Sequence, residues 1–299
     1  MSPTWCKCIL PLLEIASLTL PSKPYATMLS NGSQAAEVIV PLHASLKAAN
    51  LSSIGITCCE GQGWSMQREL TEQLQAAGAE NYTGLVTTHA YKGDPDAPDR
   101  PFNTSLKTWI TENSPIMKRL GMSQKWYEKD EENEGLHWAN LLHNAFTTGN
   151  VTAYIYWIAA GGSSGEAPLI WIPRRAANAP ADTPWYRFAA PYWAFAHYSR
   201  FIRPGATRLG LKSSLDTLQA TAYRNVNGSV VVQVINNANE TAALNLDVPR
   251  ESTAKVVEVS SWVTDNARNM TFVGTETTEG VQKARIPGRS LVTFFLKYR

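Results

Sequence analysis

The chain has 299 residues, 44% of them hydrophobic and 17% charged, which is enough for one large domain or two ordinary ones. Its formal net charge is only +2, with neither a basic run nor an acidic tail. Phosphate binding requires clustered Lys and Arg, so we expect no nucleic acid partner. No apolar stretch is long enough to span a bilayer.

The first 24 residues are predicted to be a separate N-terminal segment. Lys7 precedes an apolar run from Ile9 to Leu18 that looks like the hydrophobic part of a signal peptide. Glu14 interrupts this run, so we treat the likeness as accidental.

Residues 25–205 are predicted to form the first domain. From residue 32 to residue 205 helix-like and strand-like segments alternate, which is typical of a parallel sheet covered by helices. Apolar periodicity predicts helices at residues 34–49, 65–77, 134–147 and 186–201. Strands are predicted at residues 53–59, 83–89, 108–112 and 151–158. The last strand is a continuous apolar run, a pattern that favours burial on both faces. Gly/Pro-rich loops are predicted at residues 92–100 and 160–184.

A second domain is predicted at residues 206–299, after the Arg203-Pro204-Gly205 sequence. Short alternating runs predict strands at residues 217–223, 229–235, 256–262 and 290–296. The Asn225–Gly228 segment is typical of a hairpin turn, since Asn and Gly tolerate positive φ. We therefore expect a β-sandwich.

Polar and aromatic side chains follow the predicted parallel strands where each one ends. They are Glu60 and Trp64, His89 and Tyr91, Glu112, and Trp157. In an α/β barrel these ends meet at one mouth. Glycoside cleavage needs a carboxylate, hydrogen-bonding groups and an apolar platform around an oxocarbenium-like transition state. Glu112 is therefore the candidate catalytic carboxylate and the others are candidate substrate-binding residues, although a structural His89 and a core Trp157 remain alternatives.

Several motifs together resemble glycoside hydrolase family 30, in particular its fungal endo-β-1,6-galactanase-like branch. Trp109-Ile110-Thr111-Glu112 is similar to the Trp-x-Thr-Glu nucleophile motif of that family. The other matching segments are Tyr25–Glu37, Cys58–Trp64, Thr88–Tyr91, Gly149–Trp157 and Phe195–Gly205. The resemblance runs from about Tyr25 to the C-terminus.

The resemblance implies an α/β plus all-β fold: a partial (β/α)8 TIM barrel, comprising strands five to eight, followed by a β-sandwich. It also implies an endo-acting, retaining hydrolase of β-1,6-galactan or a similar β-linked polysaccharide, with Glu112 as nucleophile. Neither a metal nor a cofactor is expected, because the His and carboxylate spacings do not form a ligand set.

The chain departs from the family at the residue that protonates the leaving group. The family carries this acid/base in an Asn-Glu-Pro motif after the fourth strand, where this chain reads Leu18-Thr19-Leu20-Pro21-Ser22. We assign no residue to that role. The four predicted barrel strands are half of a closed barrel, so we expect a truncated or misassembled chain with little turnover. A non-catalytic carbohydrate-binding protein and a fragment that does not fold alone are the alternatives.

Two further features concern the cellular setting. The adjacent Cys58 and Cys59 have no metal-ligand spacing, and we predict buried free thiols rather than a disulfide. Eight N-x-Ser/Thr sequons favour a secreted glycoprotein. They begin at Asn31, Asn50, Asn81, Asn103, Asn150, Asn227, Asn239 and Asn269.

Overall fold

The computed structural model describes residues 30–91, 98, 100–115, 124–129, 131, 133–162, 167–172, 180, 185–211, 213–246, 256–276 and 282–298. The predicted segment at residues 1–24, which includes the Leu18–Ser22 sequence discussed above, and most of the loop at 92–100 lie outside these residues. The chain divides into two compact units, residues 1–116 with 144–157, and residues 117–143 with 158–299. This division reflects compactness, and the predicted domain boundary at residues 205 and 206 stays a prediction.

The first unit is built on a four-stranded parallel sheet with the strand order β1-β2-β3-β4. Its elements in chain order are α1 (Gly32–Ala48), β1 (Thr57–Gly61), α2 (Trp64–Ala76), a 3-10 turn (Glu80–Tyr82), β2 (Leu85–His89), β3 (Thr108–Glu112), the end of α3 (Gly135–Thr147) and β4 (Ala153–Tyr154). The alternation of helix and strand that the sequence predicts is therefore confirmed, with the strand at residues 108–112 in the predicted place.

Helix α1 begins where its sequence satisfies the first free backbone donors. Asn31 accepts a hydrogen bond from the Gln34 backbone at 2.9 Å, and the Gln34 side chain accepts one from the Asn31 backbone at 3.0 Å. Ala35 and Ile39 then bury one helix face. The capping pair explains why the helix begins two residues before the predicted start.

Strand β4 differs from its prediction. A strand at residues 151–158 buried on both faces is wrong, because β4 has two half-buried residues, and Ile155 and Trp157 are exposed. Among the described residues β4 pairs only with β3, so one side of the strand has no neighbour to cover it. The chain still follows β3, with Ile155 N donating to Ile110 O at 2.8 Å.

Cys58 and Cys59 are joined to each other by a disulfide, so the prediction of free thiols is wrong. Both residues are buried as predicted, in a core cluster with Ile39 and Leu74. The peptide bond between them is cis, and their Cα atoms lie 3.0 Å apart.

The second unit holds the β-sandwich, which confirms the predicted all-β domain. A six-stranded sheet has the order β13-β12-β15-β10-β9-β8, and β11 pairs with β14. A smaller sheet, β5-β6-β7, precedes helix α4. The elements are β5 (Ala160–Gly161), β6 (Ile170–Trp171), β7 (Arg187–Phe188), α4 (Ala190–Phe201), β8 (Thr207–Leu209), β9 (Leu218–Arg224), β10 (Val230–Asn236), β11 (Ala242–Leu246), β12 (Val256–Asp265), β13 (Arg268–Glu276), β14 (Gln282–Ile286) and β15 (Ser290–Tyr298).

Local chemistry explains where these elements match or miss their predictions. The turn between β9 and β10 is the predicted one, with Gly228 at φ +84° and Asn225 N donating to Ser229 O at 2.9 Å. Helix α4 begins at Ala190 rather than at 186, because Arg187 and Phe188 pair with β6. The predicted loop at residues 160–184 likewise contains the short strands β5 and β6.

Candidate active site

Three side chains meet at the carboxyl ends of β1, β2 and β3. His89 Nε2 lies 3.3 Å from Glu60 Oε2 and 3.7 Å from Glu112 Oε2. These side chains are only 8%, 12% and 21% exposed, in the order His89, Glu60 and Glu112. The sequence-predicted convergence of these three residues is therefore present in the structure.

Tyr91 is the fourth member of this cluster. Its hydroxyl donates a hydrogen bond to Glu112 Oε1. Its ring meets the His89 ring edge-on, with centroids 5.6 Å apart and planes at 82°. The backbone N–H of Tyr91 donates to Gln62 O at 3.0 Å, which ties the loop after β2 to the loop after β1. Glu112 is thus held by Tyr91 at one oxygen and faces His89 with the other.

Both strand ladders slip by one residue at the cluster. Between β1 and β2 the register passes from Cys59 to Gly61 and omits Glu60, whose φ is +58°. Between β2 and β3 it passes from Ile110 to Glu112 and omits Thr111. Such bulges re-aim side chains. Thr111 accordingly donates its hydroxyl hydrogen bond to Glu60 Oε2.

Glu60 is held as a carboxylate. Burial alone would raise the pKa of Glu60, but hydrogen bonds from His89 and Thr111 together lower it below its ordinary value. Since Nε2 of His89 faces two carboxylate oxygens, we assign a proton to that nitrogen. Glu60 is consequently poorly suited to protonate a leaving group near neutral pH.

The backbone of Trp157 pairs with the chain one residue beyond Glu112. Its backbone N–H donates to Asn113 O at 2.9 Å, and its side chain is 54% exposed. Asn113 is buried and its amide donates to the Tyr154 hydroxyl at 2.6 Å. The indole is therefore accessible to solvent, and its contact with a substrate stays a prediction.

Trp64 is placed differently from the other five predicted site residues. It is 3% exposed, opens α2 and stacks on Phe102 with centroids 5.1 Å apart. A Cβ at Gly149 would lie 2.8 Å from the Trp64 ring, which shows how closely the chain covers it. A sugar-binding role for Trp64 stays a prediction that this buried position does not favour.

Sequence reasoning missed three residues that support the site: Thr111, Asn113 and Tyr154. Thr111 and Tyr154 stand inside segments that carried the family resemblance, and Asn113 directly follows one of them. Their polar side chains beside Glu112 and Trp157 were the available signal, but only the slipped register shows that Thr111 turns towards Glu60. In the described part of the chain, no group of three His, Cys, Asp or Glu residues is arranged to hold a metal ion, and no helix is long and apolar enough to cross a membrane.

Comparison with known proteins adds a family context to this geometry. Residues 205–294 match the model of the glycosyl hydrolase family 30 beta sandwich domain. The structure is similar to the catalytic domain of GH30 xylanase C from Talaromyces cellulolyticus, with 33% identity and a TM-score of 0.78, covering 91% of this chain and 59% of that one. It also has the fold of a GH30 endoxylanase from Clostridium papyrosolvens, with 19% identity and a TM-score of 0.65, covering 91% of this chain and 62% of that one.

A curated relative agrees with these matches. Glucuronoxylanase XynC of Bacillus subtilis is 26% identical over 189 residues, which cover 60% of this chain and 40% of the relative. The chain therefore spans less than two thirds of the length of each of these proteins, from 40% of the curated relative to 62% of the Clostridium structure.

Proposed function

Because this chain belongs to glycoside hydrolase family 30, we propose that it forms part of a retaining hydrolase of β-linked polysaccharide, with Glu112 as the nucleophile. The observation that carries the proposal is the bond from Tyr91 to Glu112 Oε1 at the end of β3. It orients the carboxylate, while the second oxygen faces His89. A fixed carboxylate at this place suits attack on an anomeric carbon.

In the proposed reaction, Glu112 bonds to the anomeric carbon as the bond from that carbon to the leaving oxygen breaks. The leaving oxygen takes a proton, and water later releases the sugar from Glu112 with retention of configuration. Tyr91 orients the nucleophile, His89 lies beside it, and Trp157 offers a face to the sugar. No described residue is assigned the proton donor, because the pKa of the neighbouring Glu60 is lowered.

Two observations bear on which polysaccharide is the substrate, and each favours a different one. The motif resemblance favours β-1,6-galactan as the substrate of an endo-acting enzyme. The relatives named above are xylanases, so xylan is the second substrate to test. Secretion is proposed with this function, because polysaccharide substrates of this kind are extracellular and the sequons are numerous.

The chemistry allows a test that does not need the proton donor. A dinitrophenyl leaving group departs without protonation, so an activated glycoside reports on the nucleophile alone. Fluorine beside the anomeric carbon slows release, so the sugar stays attached. We expect xylosyl or galactosyl fluoroglycosides of this type to label Glu112, read as a mass increase on the peptide containing residues 108–112.

Matched variants define the outcome. Glu112→Gln should abolish labelling, whereas Glu69→Gln, which changes an exposed helix glutamate, should label as the unaltered chain does. Label on another residue, or none in a chain that melts cooperatively, would contradict Glu112 as nucleophile. The exposed Trp157 favours one other function, carbohydrate binding without cleavage. Binding of polysaccharide by calorimetry in the absence of labelling would support that alternative.

A further inference from the structure

Glu60 and Thr111 share an unusual structural position. Each is the residue that its strand ladder leaves out, on opposite sides of β2. In a regular strand Thr111 and Glu112 would point to opposite faces. Here Thr111 contacts Glu60 while Glu112 contacts Tyr91, so consecutive residues of β3 both serve one cluster. The bond between the two omitted residues is therefore a candidate for what holds Glu112 in place.

Buried contacts hold Thr111 and the backbone next to Glu60 in place. Thr111 Oγ1 lies 3.1 Å from Thr88 O, in addition to its bond with Glu60. Next to Glu60, the Gly61 backbone donates to the side chain of Gln67 at 2.9 Å. Gln67 is fully buried and also bonds Thr71 at 3.2 Å. Glu60 therefore stands on a bulge that the protein interior supports at both sides.

As a charged carboxylate, Glu60 is better suited to accept hydrogen bonds from the protein than to act as a general acid. Oε2 faces both the Thr111 hydroxyl and His89 Nε2, at 3.3 Å from the latter. These donors lower the pKa of Glu60 despite burial, which keeps the acceptor ionised. The carboxylate thereby joins the end of β3 to the ring that faces Glu112.

We infer that Glu60 is a positioning residue, which acts through Thr111 and His89 to fix the carboxylate of Glu112 for attack. This inference rests on the proposed function of Glu112. It replaces a direct sugar-binding role for Glu60 with an indirect one. Displacing a reacting group by about 1 Å can cost about 100-fold in rate, so loss of this support should slow the chemical step.

The test measures the rate of Glu112 labelling at several fluoroglycoside concentrations. It yields two separate quantities, the limiting rate at saturation and the concentration that gives half of that rate. Thr111→Val removes the hydroxyl at nearly constant volume and should lower the limiting rate about 10- to 100-fold with little change in the half-saturating concentration. Thr111→Ser restores the hydroxyl and should restore the rate. Glu60→Gln should slow labelling similarly, and the double variant should lose less than the product of the two losses, since both act through one bond.

A control of the same chemistry exists elsewhere in the first unit. Thr104 donates to Glu80, so Thr104→Val removes a threonine–glutamate bond away from the cluster and should label at the unaltered rate. Unchanged labelling in Thr111→Val, or a change confined to the half-saturating concentration, would overturn the inference in favour of sugar binding by Glu60.

A crystal structure tests the positioning role of Glu60 independently of whether Glu112 is the nucleophile. In a crystal structure of Thr111→Val we expect the Glu112 carboxylate to have left the Tyr91 hydroxyl. An intact Tyr91–Glu112 bond there overturns the positioning role, whether or not the chain labels. Absence of labelling in the unaltered chain bears on the proposed function instead.

Discussion

At the residue scale, the Tyr91 hydroxyl is the contact most directly tied to the nucleophile. Tyr91→Phe removes the bond to Glu112 and keeps a ring against His89. Hydrogen bonds to charged groups contribute about 1.5–3 kcal/mol, which corresponds to a loss of about 10- to 100-fold in the limiting labelling rate.

Tyr82→Phe is the matched control for that substitution. Tyr82 is partly exposed and packs edge-on against His43, with centroids 5.2 Å apart. We expect it to label at the unaltered rate. Equal labelling by Tyr91→Phe and the unaltered chain would show that the phenol does not orient Glu112.

The part of the candidate site that lies at the ends of the parallel strands was predictable from sequence. Glu60, His89 and Glu112 could be placed together, because the carboxyl ends of parallel strands share one edge. The partner of Glu60 could not, since alternation along β3 would turn Thr111 away and only a slipped register brings it in. The buried position of Trp64 also depends on packing against distant Phe102, which no local pattern reveals.

At the element scale, helices α1 and α2 meet with almost no space at Gly32. A Cβ there would lie 2.2 Å from Leu70 O and 2.8 Å from Gln73 Cβ. Gly32→Ala must therefore push the two helices apart, and overpacking of this kind costs about 1–3 kcal/mol. We expect a lower midpoint of urea unfolding for this variant.

Gly55→Ala provides the comparison, because a Cβ at that position meets nothing within 4 Å. Its unfolding midpoint should stay close to that of the unaltered chain. If Gly32→Ala unfolds no earlier than Gly55→Ala, the two helices do not pack as closely as described.

The elements also show which structural features a sequence can specify. Strand β3 was predictable because an apolar run ends at a carboxylate and a Pro follows shortly after. Strand β4 was not, because its exposure depends on how many strands flank it rather than on its own residues. Helix α4 begins after its predicted start for a similar reason, because Arg187 and Phe188 pair with β6 as strand β7.

At the scale of the whole molecule, His197 couples folding of the second unit to pH. It is fully buried, with Nε2 2.7 Å from Thr264 Oγ1 and Nδ1 2.6 Å from Thr293 Oγ1. Thr293 donates onward to Gln233 at 2.6 Å, so Nδ1 carries the proton and Nε2 accepts from Thr264. Burial lowers the pKa of His197 to about 3.

The sign of the resulting pH dependence follows from that direction. The fold favours neutral His197, so its contribution to stability is complete above the ordinary pKa of about 6.5 and is lost as pH falls towards 3. The free energy of unfolding should decrease across this window by up to about 1.4 kcal/mol per pH unit. His197→Gln should flatten the curve in calorimetry or urea titration, and His43→Gln, at an exposed histidine, should leave it unchanged. A curve with the same slope in His197→Gln would contradict this account.

The bond between Glu60 and Thr111 joins residues 51 positions apart in the chain. In chimaeras made by recombination with a relative, residues 60–111 should therefore come from a single parent. A crossover inside that interval combines a bulge from one parent with the hydroxyl partner of another, whereas a crossover outside it transfers both together. Chimaeras of the second kind should retain Glu112 labelling more often than those of the first.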